Sequence, residues 1–482
     1  MSLEMLQPIA VELSICGGAI VLLLVDMYLP DGARKHLASL TALLLVVALY
    51  LSTRFDGQGA IGTVYFGSAF TQLCKRLLIV ATLGAVLGGR DFIAKVAPRR
   101  QGEYYFLILM CLTGMMLLPG ARDLILLIVS FELMGIPLYV LTAFVRDEAS
   151  PERRLAATKQ AAEASLKLYL VGAASTTVTL FGLSLLVGGA GSTRLDALLA
   201  APATPLHIAG LLLVLGGMGF KIGAVPFHMW VPDTYQGALT PVVAFLSVAP
   251  KAAGMATLMV LSVKAVPSSI WQPALTVLAV VSMTVGNLMA LPQRNVKRLL
   301  GYSGVAQIGY MLLALCVGGS YALAMLLFYL CGYVVTNLGT FLVVHAVADR
   351  EGDDSLDGLS GLARRSPWLG LSLLMFLLSL AGIPFVIGFW SKLYLFMAVY
   401  QAGQGWLVVV GAVLAVVGLF YYLQVARAAY MVAPAKPQPL QVEPWLAVMI
   451  VVCLLLVTGL GAYPGPLLEV CQQAADALLL GR

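Results

Sequence analysis

The sequence predicts an all-α integral membrane protein of about fourteen transmembrane helices, arranged as two inverted five-helix repeats that each contain a broken helix. Three observations carry this reading. Of 482 residues, 60% are hydrophobic and 11% charged, against roughly 25% charged in a soluble domain. Apolar runs of about 20 residues, the length that crosses a bilayer, recur from end to end. Two of these runs, five helices apart, are interrupted by Gly and Pro in matching fashion: "GFKIGAVPFHMW" and "SLAGIPFVIGFWSKLY". Such a pair marks an internally repeated transporter with its ion site near the breaks, and an odd repeat length inverts the second copy. No soluble domain is expected.

The spans follow in order. The first covers 9–29; Glu4 precedes it, Glu12 lies inside it, and the first cation, Arg34, comes after it, which is not the pattern of a signal peptide. The second is 37–53 and the third 68–89. Between them "GQGAIG" matches G-x-G-x-x-G, but no strand precedes it and no dinucleotide site is implied. The basic stretch "GGRDFIAKVAPRRQGE" leads into the fourth span, 103–119; it fits the positive-inside pattern and needs no nucleic acid. The fifth, 122–145, carries Glu132 about ten residues in, and the sixth, 161–188, carries Lys167 nearer one end. The seventh, 206–230, is the first broken span, with Lys221, Pro226 and His228. The eighth, 239–262, holds Lys251 near its middle. The ninth to eleventh, 271–290, 299–317 and 322–348, offer Asn287, Gln307, Asn337 and His345 as inward polar groups. "DREGDDSLDG" then reads as a solvated loop. The twelfth, 367–399, is broken at Pro384 and carries Lys392; the thirteenth and fourteenth are 405–430 and 442–463. The units are therefore 1–102 (helices 1–3), 103–264 and 265–430 (the two repeats) and 431–482 (helix 14 and tail).

Net charge is +6, and its distribution matters more than its size. Loops after the odd-numbered spans hold 18 Lys/Arg, including Arg34, Lys35, Arg99, Arg100, Arg153, Arg154, Lys297, Arg298, Arg364 and Arg365. The other side holds 7: Arg54, Lys75, Arg76, Arg122, Arg194, Lys264 and Arg482. The positive-inside rule makes the richer side cytoplasmic, so both termini face outward. The four remaining lysines, Lys167, Lys221, Lys251 and Lys392, lie inside spans.

A charge at the bilayer centre costs about 2.5–3.5 kcal/mol on the insertion scale, so an intramembrane ion is a functional candidate by default. Lys221 and Lys251 sit too deep to reach an interface, whereas Lys167 could snorkel. Burial disfavours an ammonium and a nearby carboxylate favours it, so a buried lysine can switch charge when its partner moves. The expected arrangement pairs Glu132 with Lys167 as a modulator of Lys221, with Lys251 passing the proton onward and Lys392 as the matching gate of the second half. His228 either relays protons near neutral pH or satisfies backbone freed by Pro226. Gln307, Asn337 and His345 are candidate relay positions that serve equally as interhelical glue. Seven Cys without Cys-x-x-Cys or a zinc-spaced His give no support to iron–sulfur, haem or structural zinc, and no metal site is expected.

Five stretches carry a resemblance: "FELMGIPLYVLTAF", "EASLKLYLVGAAS", "GFKIGAVPFHMWVPDTYQGALTPVVAFLSVAPKAAG", "VKRLLGYSGVAQIGYMLLAL" and "AGIPFVIGFWSKLYLF". Together they make the chain similar to the antiporter-like membrane subunits of respiratory complex I and its relatives. "PDTYQGALTP", and an end at Arg482 without a long lateral helix, point to the N-type branch over the M and L types. The resemblance implies a proton-translocating subunit with Glu132 and Lys167 as modulating pair, Lys221 as central lysine, His228 beside it, Lys251 as connector and Lys392 on the exit side. It implies no cofactor on this chain, with quinone, FMN and iron–sulfur clusters in partner subunits. The partners it implies are M-type and small K/J-type membrane-arm subunits and lipids, without nucleic acid. It implies a bacterial inner membrane. Some relatives carry histidine where Gln307 stands, so the resemblance implies no titratable relay at this position. An Mrp-type sodium/proton antiporter subunit is the alternative.

Overall fold

The structure, a computed structural model, describes residues 3–54, 57–144, 151–264, 268–434 and 438–481; Arg482 of the expected outer-side set lies outside them. The helices, in chain order, are α1 (Ala10–Tyr28), α2 (Leu37–Arg54), α3 (Ala69–Val96), α4 (Gln101–Leu117), α5 (Leu124–Thr142), α6 (Pro151–Ala190), α7 (Leu195–Ala200), α8 (Pro205–Ile222), α9 (Trp230–Gly237) and α10 (Thr240–Leu246). They continue as α11 (Ala249–Lys264), α12 (Ser268–Ala290), α13 (Val296–Val317), α14 (Gly319–Glu351), α15 (Leu362–Arg365), α16 (Pro367–Ala381), α17 (Ile387–Gln401), α18 (Gly405–Met431), α19 (Pro444–Ala462) and α20 (Gly465–Leu480). Helices are the expected solution, because a lipid-embedded segment must satisfy its backbone polar groups internally.

Among the described residues, thirteen helices are long and apolar enough to cross a membrane. The expected twelfth span, 367–399, is present as two shorter pieces, α16 and α17, on either side of its break. The most apolar stretches of α14 and of the α10–α11 pair are wholly buried, and that of α13 nearly so, whereas most residues in those of α6 and α19 are partly or fully exposed. α14 is the hub, touching α3, α10, α13, α16, α17, α19 and α20. Glycines set the closest helix approaches. A Cβ at Gly114 of α4 would lie 2.6 Å from the Met134 backbone nitrogen of α5, and one at Gly286 of α12 only 2.5 Å from that of Ala306 in α13.

Three features depart from the sequence reading. α6 begins at Pro151, ahead of the expected 161. α20 was not expected; its buried face of Cys471, Ala474, Ala475 and Leu478 packs on α3 and α14. Residues of "GQGAIG" enter a two-stranded hairpin, Gly59–Ile61 paired antiparallel with Tyr65–Gly67. A short hairpin between two hydrophobic helices leaves little periodicity to read.

Candidate functional site

Both breaks use the same backbone device. α8 ends at Gly223 (φ 76°, ψ 35°) and α16 at Gly382 (φ 87°, ψ 35°), both in the left-handed conformation that glycine adopts without strain. Interrupting a helix frees carbonyls and N–H groups that lipid cannot satisfy. After the first break, the Trp230 indole donates to the Phe220 carbonyl at 3.1 Å and the Val225 N–H to Ser282 Oγ at 3.0 Å. At the second, Lys392 Nζ donates to the Leu380 and Ala381 carbonyls, both at 2.9 Å, and the Gly388 N–H to Ser379 Oγ at 3.2 Å. Pro226, which follows a cis peptide bond, and Pro384 lie on the exposed sides of the two breaks.

Just before the first break, Lys221 is buried with its Nζ 3.9 Å from Glu132 Oε1. Phe131 and Phe220 present their rings to Nζ at 5.7 Å. Glu132 Oε1 also accepts from Thr176 Oγ1 at 2.8 Å. A cavity of about 20 Å³ lies among Glu132, Thr176, Thr179, Gly217 and Lys221. That is room for one water, which needs about 10–15 Å³ by this measure. At this separation the pair attracts by on the order of 4 kcal/mol at an effective dielectric of 20, against about 1 kcal/mol in water.

The expected Glu132–Lys167 pair is therefore corrected: the partner of Glu132 is Lys221. Lys167 instead pairs with Glu163 at 2.6 Å and Asp233 at 2.9 Å, and its side chain is 43% exposed. The reason is helical rise. Glu132 meets α6 at Thr176, nine residues past Lys167, or about 13 Å along the axis. Asp233 is a residue that sequence reasoning missed. It receives Lys167 from α6 and Arg298 from α13. Its signal in the sequence is an acid within "VPDTYQG", set between two apolar spans.

Lys251 is fully enclosed. Its Nζ has no hydrogen-bond partner among the described atoms and lies 5.3 Å from the centre of the Tyr235 ring. Lys392 is buried, with Nζ 4.9 Å from the Tyr310 ring. Gln307 Nε2 donates to that same Leu380 carbonyl at 2.9 Å and to Tyr422 Oη at 3.1 Å, and its Oε1 accepts from Tyr329 at 2.5 Å. Asn337 Nδ2 donates to Tyr333 Oη at 3.3 Å. His228 is half-buried, 6.3 Å from the Tyr302 ring. His345 lies two helical turns beyond Asn337, about 12 Å away along α14. It stacks edge-on against Phe92 at 4.7 Å and lines a cavity of about 270 Å³ with Lys297, Asp349 and Asp354. The structure thus joins Glu132 to Lys221 and Gln307 to Lys392, and leaves Lys167 and His345 apart from both.

A second intramembrane pair lies outside these positions. Lys75 Nζ is 2.8 Å from Glu12 Oε1, both side chains almost wholly buried, and donates to the Pro8 carbonyl at 2.6 Å. Tyr65 Oη donates to Glu12 at 3.1 Å. Lys75, counted from sequence with the outer loops, is therefore an interior charge.

Comparison with known proteins supplies the lineage. Residues 121–418, more than half of the chain, match the family described as NADH:quinone oxidoreductase/Mrp antiporter, TM. NADH-quinone oxidoreductase subunit N of Moorella thermoacetica is 37% identical over 480 residues, 98% of each chain. Subunit N of Herminiimonas arsenicoxydans is 36% identical, over 97% of this chain and 98% of its own. Among solved structures, a chain of respiratory complex I from Thermus thermophilus with bound Aureothin aligns with a TM-score of 0.82 at 33% identity, over 95% of this chain and 98% of that one. A chain of the Mrp complex from Dietzia sp. aligns with a TM-score of 0.85 at 21% identity, over 99% and 98%, a likeness of fold alone. This multi-pass membrane chain belongs to the NADH:quinone oxidoreductase/Mrp antiporter family, on its subunit N branch.

Proposed function

We propose that this chain is a proton-translocating, non-redox membrane-arm subunit of an NADH:quinone oxidoreductase or of a close relative using another electron donor. The observation that carries the reading is the Glu132–Lys221 pair beside a helix break, with room for a water between α5, α6 and α8. Glu132 stabilises the ammonium of Lys221; when that contact loosens, a charge is left in a low-dielectric site and proton loss relieves it. Lys251 takes the proton onward and Lys392 passes it out, with His228 beside the first break. Lys167, anchored on Asp233 and Glu163, sets the position of α6 and so of Thr176.

The matched left-handed glycines at 223 and 382 support two inverted repeats, 103–264 and 265–430, preceded by 1–102 and followed by 431–482. In this reading the chain holds no cofactor; FMN, iron–sulfur clusters and the quinone site belong to partner subunits, and M-type and small K/J-type subunits with lipids are its neighbours. The membrane is a bacterial inner membrane with both termini on the outer side, as the loop charges imply. The sodium-antiport alternative rests on a fold likeness at 21% identity, whereas the relatives above 30% identity are quinone oxidoreductase subunits.

The test is Lys221→Ala and Glu132→Ala in the assembled complex in membrane vesicles. Each should slow quinone-coupled proton release by roughly tenfold or more, as loss of a positioned proton-transfer group does. Both variants assembling and pumping at the wild-type rate would overturn the proposal.

A further inference from the structure

The route from Lys251 to Lys392 lacks a titratable group at Gln307. The Gln307 amide is held by Tyr329, Tyr422 and the Leu380 carbonyl, and an amide does not pick up or release protons near neutral pH. We infer that Tyr333 is the relay that joins the two buried lysines, and that Gly304 is the niche that lets Lys251 reach it. The inference rests on the proton-translocating reading above.

The geometry has three parts. First, a Cβ built on Gly304 of α13 would lie 2.6 Å from Lys251 Nζ and 3.3 Å from Tyr333 Oη. Both groups therefore crowd one point, and they are separated by at most about 6 Å, those two distances laid end to end. One water spans such a gap with two hydrogen bonds of about 2.8–3.0 Å each. Second, the Tyr333 hydroxyl donates to the Ser247 carbonyl at 3.1 Å, at the α10–α11 junction, and accepts from Asn337 Nδ2 at 3.3 Å. The amide fixes the oxygen while the hydroxyl proton stays free to turn. Third, Tyr333 also lines a cavity of about 10 Å³ with Gln307, Tyr329, Thr336, Ser379 and Leu380. That lining includes Leu380, whose carbonyl is the one Lys392 donates to.

The step balances without oxidant or reductant. The Tyr333 hydroxyl turns from Ser247 toward the cavity. Its proton leaves through cavity water to a neutral Lys392, where an N–H bond forms. A proton from the Lys251 ammonium arrives at the tyrosine oxygen through the bridging water, so Lys251 ends neutral and the phenol is restored. Turning back to Ser247 resets the relay. Tyr333 and Ser247 thereby act as a gate, open only while the hydroxyl faces the cavity.

Two variants of the assembled complex in proteoliposomes test this. Tyr333→Phe keeps the ring and removes the hydroxyl. Gly304→Ala puts a methyl at the shared point, pushing Lys251 Nζ aside while leaving the ammonium and the phenol chemically intact, so it keeps the test open should the first variant assemble poorly. Both should slow quinone-coupled proton release roughly tenfold. Both should also raise its solvent deuterium isotope effect above wild type, since the impaired transfer becomes rate-limiting; a merely structural defect lowers the rate equally in light and heavy water. Lys221→Ala is measured alongside. If it stops pumping while Tyr333→Phe keeps the wild-type rate and isotope effect, the relay is overturned and the functional reading stands. If all three pump normally, both fall.

Discussion

Glu12 shows how a residue's meaning depends on what folds onto it. In the sequence it is one acid in an apolar run; in the structure it accepts from Lys75 and Tyr65 with almost no access to solvent. Removing one member of a buried pair strands the other charge, which costs about 3–5 kcal/mol, whereas apolar replacement of both is often neutral. Glu12→Ala should therefore destabilise the N-terminal helices by about that amount, and Glu12→Leu with Lys75→Met should recover most of it. Denaturant unfolding of the complex in detergent reads both, and equal losses in the single and double variants would refute the pairing argument. The same lesson applies to Glu132. Its depth was legible in the sequence, but its partner was not, because the choice between Lys167 and Lys221 depends on the height at which α5 crosses α6.

Helix breaks are where sequence and structure agree most closely. At both breaks a glycine in the left-handed conformation ends the helix and a proline follows within three residues, whereas α5 runs unbroken through Glu132, Gly135 and Pro137, so the interruption is carried by the Gly-then-Pro order. Gly223 and Gly382 each carry the left-handed turn, and a Cβ there would approach Val231 Cγ2 at 2.9 Å and Lys392 Cδ at 2.7 Å. A non-glycine residue in that conformation costs about 1–3 kcal/mol. Gly223→Ala and Gly382→Ala should lower stability by that range, with the second also displacing Lys392, and melting curves of the purified complex check it. A control such as Gly17→Ala, whose Cβ would meet nothing within 4 Å, should be nearly silent. The hairpin and α20 escaped sequence reading for the opposite reason. Three-residue strands carry no usable period, and α20 is recognisable only through the face it lays on α3 and α14.

Across the whole molecule, long-range ties close the N-terminal helices onto the C-terminal ones. Glu443, which precedes α19, pairs with Lys95 of α3 and with Arg350 of α14 at 3.6 Å. The Lys95 hydrogen bond, against the weaker opposing effect of partial burial, holds the Glu443 carboxyl below its ordinary value of 4.5. A carboxylate depressed in the folded state contributes stability that is present above the unfolded value and disappears as pH falls through the lower folded one. Wild type should therefore lose protection of the α19 amides as pH drops below about 4.5, while Glu443→Gln shows no such step. Hydrogen exchange across that window decides it. The sequence by itself determined the membrane class, most of the spans, both breaks and the depth of Lys221, Lys251 and Lys392, because each follows from local hydropathy, backbone chemistry and the cost of an ion in lipid. Only the tertiary structure decided which charges meet: Glu132 with Lys221, Lys167 with Asp233, Lys75 with Glu12, and Tyr333 between Lys251 and the cavity beside Gln307. An ion pair acts over a few ångströms, and helix crossings fix distances at that scale between residues scores of positions apart in the chain.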